Sequence, residues 1–139
     1  MLVDVVDNCL VRTSGKPRYA SLSYVWGPSK QAFTSTKANV NELFVPGSLE
    51  RHTRDLSATV SDAIVLTRQL GIRYLWADRM CIVQDDEEDV REQISGMAQI
   101  YEGAYINIVA ATGSNAESGL PGVTVPRDQS GMILFTPYS

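Results

Sequence analysis

Histidine and cysteine are nearly absent from this chain: one His and two Cys stand among 139 residues. Cys9 and Cys81 lie far apart and belong to no CxxC or Cys/His cluster, so neither a zinc site nor a disulfide framework is indicated. A reducing, intracellular setting is the default. Cys81 as a nucleophile would need a general base, and the single histidine, His52, falls in a polar connection; Cys81 therefore reads as a small buried hydrophobe. Basic residues are also scarce, with 12 Lys and Arg against 16 Asp and Glu and a net charge of -4. No basic stripe appears, which argues against a nucleic-acid partner, because that affinity rests on clustered cations. No apolar run approaches the roughly 20 residues that span a bilayer, and the first seven residues lack a basic region and carry acids, so neither membrane nor signal peptide is expected. Phosphate-binding patterns are missing too: there is no GxxxxGK[ST] and no GxGxxG. The acidic run 85–89 lacks the alternating ligands and central Gly of a calcium loop and reads as a helix start, so no metal is expected.

What the chain does have is a hydrophobic content of 44%, with 20% charged, enough for one domain with a core of ordinary size. Residues 2–11 alternate loosely and read as a strand. Ser14-Gly15-Lys16-Pro17 is a turn, and 18–26 is a second strand rich in Tyr, Leu and Val. Residues 27–56 form a long polar connection. Ser57 and Thr59 can cap a helix carrying Val60, Ala63, Ile64, Thr67 and Leu70 at helical spacing, with Gly71 at its end. Residues 72–77 make a short strand, and Val90, Ile94, Met97, Ala98 and Tyr101 share one face of a second helix that stops at Gly103. Residues 105–111 form a third strand of this group, 112–118 a polar loop, and 126–139 a tail or edge strand, with 132–135 strand-like. The alternation predicts an α/β fold with three layers, a mainly parallel sheet and flanking helices.

In open parallel sheets ligands bind beyond the carboxyl ends of the strands. Two apolar runs end there in chemistry: Leu22-Ser23-Tyr24-Val25-Trp26-Gly27, and Leu75-Trp76-Ala77-Asp78-Arg79. Tyr24 and Trp26 can stack on a planar ligand, or be core aromatics; Gly27 can admit backbone close to it, or simply turn the chain. Asp78 can accept a hydrogen bond or act as a base, or be paired with Arg79 or Arg73. Gln84 can orient a ligand or hold its loop. Ser114 and its neighbours end the third strand. Trp76 in mid-strand reads as core.

Taken in order, Leu22-Ser23-Tyr24-Val25-Trp26-Gly27, Ala63-Ile64, Leu70-Gly71-Ile72-Arg73-Tyr74-Leu75-Trp76-Ala77-Asp78, Cys81-Ile82, Gln84, Met97, Ile100-Tyr101 and Ala104 closely resemble the fungal heterokaryon incompatibility (HET) domain. The resemblance covers 18–122 within a domain at 1–125, including Ser118-Gly119-Leu120-Pro121-Gly122. Arg79-Met80 stands where Ser-Leu is common, and Val83 replaces a frequent Ile. The resemblance implies a cytoplasmic module of filamentous fungi, usually part of a larger protein, that serves non-self recognition and triggers programmed cell death. Its implied partners are copies of itself or other incompatibility proteins. The HET family has in turn been likened to Toll/interleukin-1 receptor (TIR) domains, flavodoxin-like folds that signal by assembly and in some members cleave NAD. On that likeness 22–24, 76–78 and 106–114 are the first three strands, and the catalytic Glu follows the third, where the chain offers Glu117. An alternative function is therefore a nucleotide hydrolase with NAD as substrate, its catalytic candidates being Asp78 and Glu117.

Overall fold

A computed structural model describes residues 1–24 and 33–110, together with the backbone of 132–135. Asp4 shapes the start of the chain. Its Oδ1 accepts hydrogen bonds from the amides of Val6 (2.9 Å) and Asp7 (3.0 Å), and Asn8 takes the left-handed conformation at φ 52°. A short polar side chain that bonds its own backbone in this way closes a tight turn. The segment expected as one strand is thus a hairpin of β1 (Leu2–Asp4) and β2 (Cys9–Val11). Arg73 locks the turn from outside, with Nε 3.0 Å from Asp4 Oδ2 and a second nitrogen 3.1 Å from Asp7 Oδ2.

Strand β3 (Tyr19–Ser23) follows, and the long connection after it contains two single-turn helices, α1 (Val40–Leu43) and α2 (Ser48–Arg51). Helix α3 (Ala58–Gln69) starts where its cap predicts, since Ser57 Oγ accepts from Val60 N at 3.3 Å. Gly71 leaves it at φ 75°. Strand β4 (Tyr74–Ala77) runs directly into a one-turn helix, α4 (Asp78–Cys81). The helix expected up to Gly103 is two helices, α5 (Glu87–Ser95) and α6 (Met97–Gly103). The chain leaves helical geometry at Gly96, a residue that holds a helix poorly. The expected continuous stripe is broken there, leaving Ile94 59% exposed while Val90, Met97 and Tyr101 are half-buried. Strands β5 (Ile106–Ala110) and β6 (Met132–Phe135) complete the elements.

The six strands form one sheet in the order β2-β1-β4-β3-β5-β6. The fold is α/β, but the expectation of a mainly parallel sheet is corrected: it is mixed. Only β4-β3 and β3-β5 are parallel, while β1-β2, β1-β4 and β5-β6 are antiparallel. For the β1-β2 pair the reason is connection length. A parallel pair needs a crossover of a dozen residues or more, which the helix-bearing connections supply, whereas the four-residue turn between β1 and β2 permits only a hairpin.

Register assigns the side chains to two unlike faces. Ala20 pairs with Leu75 and Ile106, and Leu22 with Ala77 and Ile108, so one face is apolar throughout. Ala20, Leu22, Leu75, Ala77 and Ile108 are all buried, and each large one contributes roughly 1.5–3 kcal/mol. Ser21, paired with Trp76 and Asn107, lies on the other face, where the Ser21 hydroxyl bonds Asn107 and Trp76 meets Tyr101 of α6 edge-on at 5.6 Å. Helix α3 packs on β3 and β4 and buries seven of its residues.

Replacing Asp4 by Ala should remove two turn hydrogen bonds and an ion pair at once, lowering unfolding free energy by about 2 kcal/mol. Asp7→Ala, at an exposed carboxylate, should cost under about 1 kcal/mol. Equal losses in denaturant titrations would contradict the role given to Asp4.

Candidate functional site

Strands β3 and β4 end side by side, because Leu22 pairs with Ala77 in parallel register. Their continuations, Ser23-Tyr24 and Asp78-Arg79, therefore meet. Asp78 opens helix α4, and its Oδ1 accepts from Arg79 N at 2.8 Å, as suits a carboxylate in a first helical turn. Tyr24 lies beside it. Burial first, then the Asp78 carboxylate, hold the phenol far above its ordinary value of 10.0, although no hydrogen bond of full geometry closes on the buried hydroxyl. Tyr101 of α6, edge-on to Trp76, feels the charge of the same carboxylate. Its phenol is raised by burial first and then by the Asp78 charge. The Arg79 side chain is 1% exposed, with its guanidinium carbon 5.9 Å from the centre of the Tyr24 ring. The Tyr24 and Tyr101 phenols, from a strand end and a helix, thus both feel the charge of this one carboxylate.

Gln84 stands on the far side of the α4 turn. Its Nε2 donates to Asp78 O at 2.9 Å and to Ile82 O at 3.0 Å, so the amide clamps the backbone that carries Asp78. Ser35, which the sequence did not single out, completes that clamp. Its amide donates to Arg79 O (3.0 Å), its carbonyl accepts from Gln84 N (2.9 Å), and its hydroxyl bonds Met80 O. Within a Thr34-Ser35-Thr36 run it carries no local signal, because its partners are more than 40 residues away. The acidic run also serves this loop: Asp86 caps α5 through the amides of Glu88 and Asp89, Asp89 accepts from Val83 N at 2.8 Å, and Asp85 from Lys37 N at 2.8 Å. Among the described residues no group of three or more His, Cys, Asp or Glu could hold a metal ion.

The structure therefore brings Tyr24, Asp78 and Arg79 together and sets Gln84 behind them. Trp26, Gly27, Ser114 and Glu117 lie outside the described residues. Trp76 is 2% exposed and packs in the core. Cys81, the last residue of α4, is fully buried, and burial pushes its thiol from 9.0 up to about 11. Near neutral pH it is held as the unreactive thiol. No described helix is long and apolar enough to cross a membrane.

A family model described as "Heterokaryon incompatibility protein (HET)" matches residues 19–136. The chain is also similar to "Heterokaryon incompatibility protein 6, OR allele" of Neurospora crassa, with 38% identity over 106 residues, 69% of this chain and 14% of that protein. The chain thus spans about one seventh of that relative's length. No solved structure matches significantly.

The buried thiol and phenols set a sign for alkaline stability. Groups whose folded pKa is raised favour the folded state while protonated, so this stability is complete below their unfolded values and is lost as pH rises through the folded ones. For Cys81 that window runs from 9.0 to about 11. Unfolding free energy should fall across it, and Cys81→Ala should flatten the fall by about 2–3 kcal/mol. An unchanged slope in urea titrations across that range would contradict the burial of the thiol.

Proposed function

The chain belongs to the heterokaryon incompatibility (HET) family, and from that premise we propose a signalling module for non-self recognition that triggers programmed cell death in filamentous fungi. It acts in the cytoplasm by assembly with copies of itself or with other incompatibility proteins, and neither nucleic acid nor membrane takes part. The family match over residues 19–136 carries this reading, and the name of the Neurospora crassa relative supports it. The rest of a parent protein would supply the trigger.

The fold supports a finer placement. Numbered among themselves, the parallel strands β4-β3-β5 run 2-1-3, the order that begins flavodoxin-like sheets. With right-handed crossovers, α3 and the α5–α6 pair fall on opposite faces, which gives a three-layer, TIR-like core flanked by antiparallel strands. In such sheets the working crevice opens beyond the carboxyl ends where the strand order reverses. Tyr24, Asp78 and Arg79 stand at that end. In this reading they fix the loops that make the signalling surface.

The second reading is a nucleotide hydrolase of the NAD-cleaving kind. What favours it is the Asp78 carboxylate set next to an aromatic ring at the strand ends, since such an enzyme needs little more than a carboxylate and a stacking wall.

Expression of the chain in a filamentous fungus should arrest growth, and Asp78→Asn should abolish the arrest while leaving the circular dichroism spectrum and melting behaviour of the purified domain native-like. Persistent arrest in the folded variant would remove the crevice from the mechanism, and no arrest with wild type would contradict the signalling reading of this domain. Incubation of concentrated protein with NAD separates the second reading: nicotinamide release lost in Asp78→Asn would support it, and no release at any concentration would sink it.

A further inference from the structure

The helical pair α5–α6 is under-packed. Neither helix buries a single residue, whereas α3 buries seven. Among the described residues Val90, Met97, Ile100 and Tyr101 pack only half-buried against the core, with Tyr101 at the edge of Trp76, the Tyr19 hydroxyl on the Ile100 carbonyl, and Ala104 buried at the helix end. Gly103 makes the second contact possible, since a Cβ there would stand 3.0 Å from the Tyr19 hydroxyl oxygen. Between α6 and the turn before β3 lies an open hollow of about 760 Å³, whose walls include Tyr19, Trp76, Ile100 and Gly103. A hollow of this size has room for a small molecule.

The mouth of the cavity has a distinct chemistry. Lys16 and Arg18 stand on the turn that leads into β3, facing the segment that leads into β5. The Arg18 guanidinium lies 4.4 Å from the centre of the half-exposed Tyr105 ring. Stacking uses the face of a guanidinium and leaves its N–H edge to donate, the arrangement that suits a phosphate or carboxylate. Glu102 is the acid at the same mouth, so the rim carries a net positive charge. Behind the rim the walls are largely aromatic and aliphatic. Tyr19 opens β3 and Tyr105 precedes β5, so this mouth is at the amino ends of the parallel strands, away from Asp78 at the carboxyl end of β4.

We propose that this cavity is a second binding site, one that takes a flat organic anion of about mononucleotide size, its charge on Lys16 and Arg18 and its body between α6 and the turn before β3. The ligand supplies the packing that α5–α6 lack and so rigidifies that crossover. The proposal stands apart from the signalling reading of the Asp78 crevice.

AMP is the probe, with adenosine and inorganic phosphate as its two halves, titrated calorimetrically into the 139-residue chain. AMP should bind and each half should bind roughly tenfold or more weakly; Arg18→Glu or Lys16→Glu should weaken AMP by a similar factor. Asp78→Asn should leave AMP affinity unchanged, and hydrogen exchange in 97–103 should slow on binding. Absence of AMP binding at millimolar concentration would overturn the proposal. So would binding indifferent to both charge reversals, binding lost in Asp78→Asn, or phosphate alone binding as tightly as AMP.

Discussion

Everything in the candidate site depends on the register of β3 between β4 and β5. Because Leu22 pairs with Ala77 on one side and with Ile108 on the other, the three strands finish at one level and present Tyr24 and Asp78 to each other. A slip of one residue would turn every side chain to the opposite face, setting Leu22 among Ser21's polar partners and burying Ser23 in apolar surroundings. The apolar face therefore enforces the register, and the register delivers the site. Asp78 can sit at this junction because the strand ends in a helical turn: its carboxylate meets a backbone N–H, and Gln84 and Ser35 hold the turn from behind.

The two faces of the sheet divide the labour. On one, Ala20, Leu22, Leu75 and Ile108 form the close-packed core that anchors the fold. On the other, Ser21 and Asn107 form a hydrogen-bonded pair, and Ser23, Trp76 and Tyr101 continue toward Asp78. Polar groups there are paired rather than merely packed, and the helices above bury none of their own residues. Regions with few buried apolar contacts are the low-stability part of a fold and the part most open to binding and rearrangement.

Much of this was legible in the sequence where a local rule applied. Ser57 capped α3 and Gly71 ended it, Trp76 and Cys81 entered the core, and the acidic run started a helix, all as local chemistry dictates. The family resemblance was legible as well, because its residues recur in order. The misses share a cause: they depend on backbone geometry or distant partners. Asp4 and Asn8 make a turn inside what reads as one alternating strand, Gly96 divides a stripe whose spacing alone looks continuous, and Ser35 acts on partners far along the chain. The antiparallel additions that make the sheet mixed were hidden for the same reason, since strand direction follows connection geometry and not strand composition.

Tyr24 and Asp78 act as one unit at the ends of β3 and β4, and a double-mutant cycle on stability with Tyr24→Phe and Asp78→Asn measures their coupling. Residues in contact through a charge and a buried hydroxyl should show a coupling free energy of at least about 0.5 kcal/mol. Strict additivity of the two substitutions, in variants that retain the native spectrum, would contradict the account.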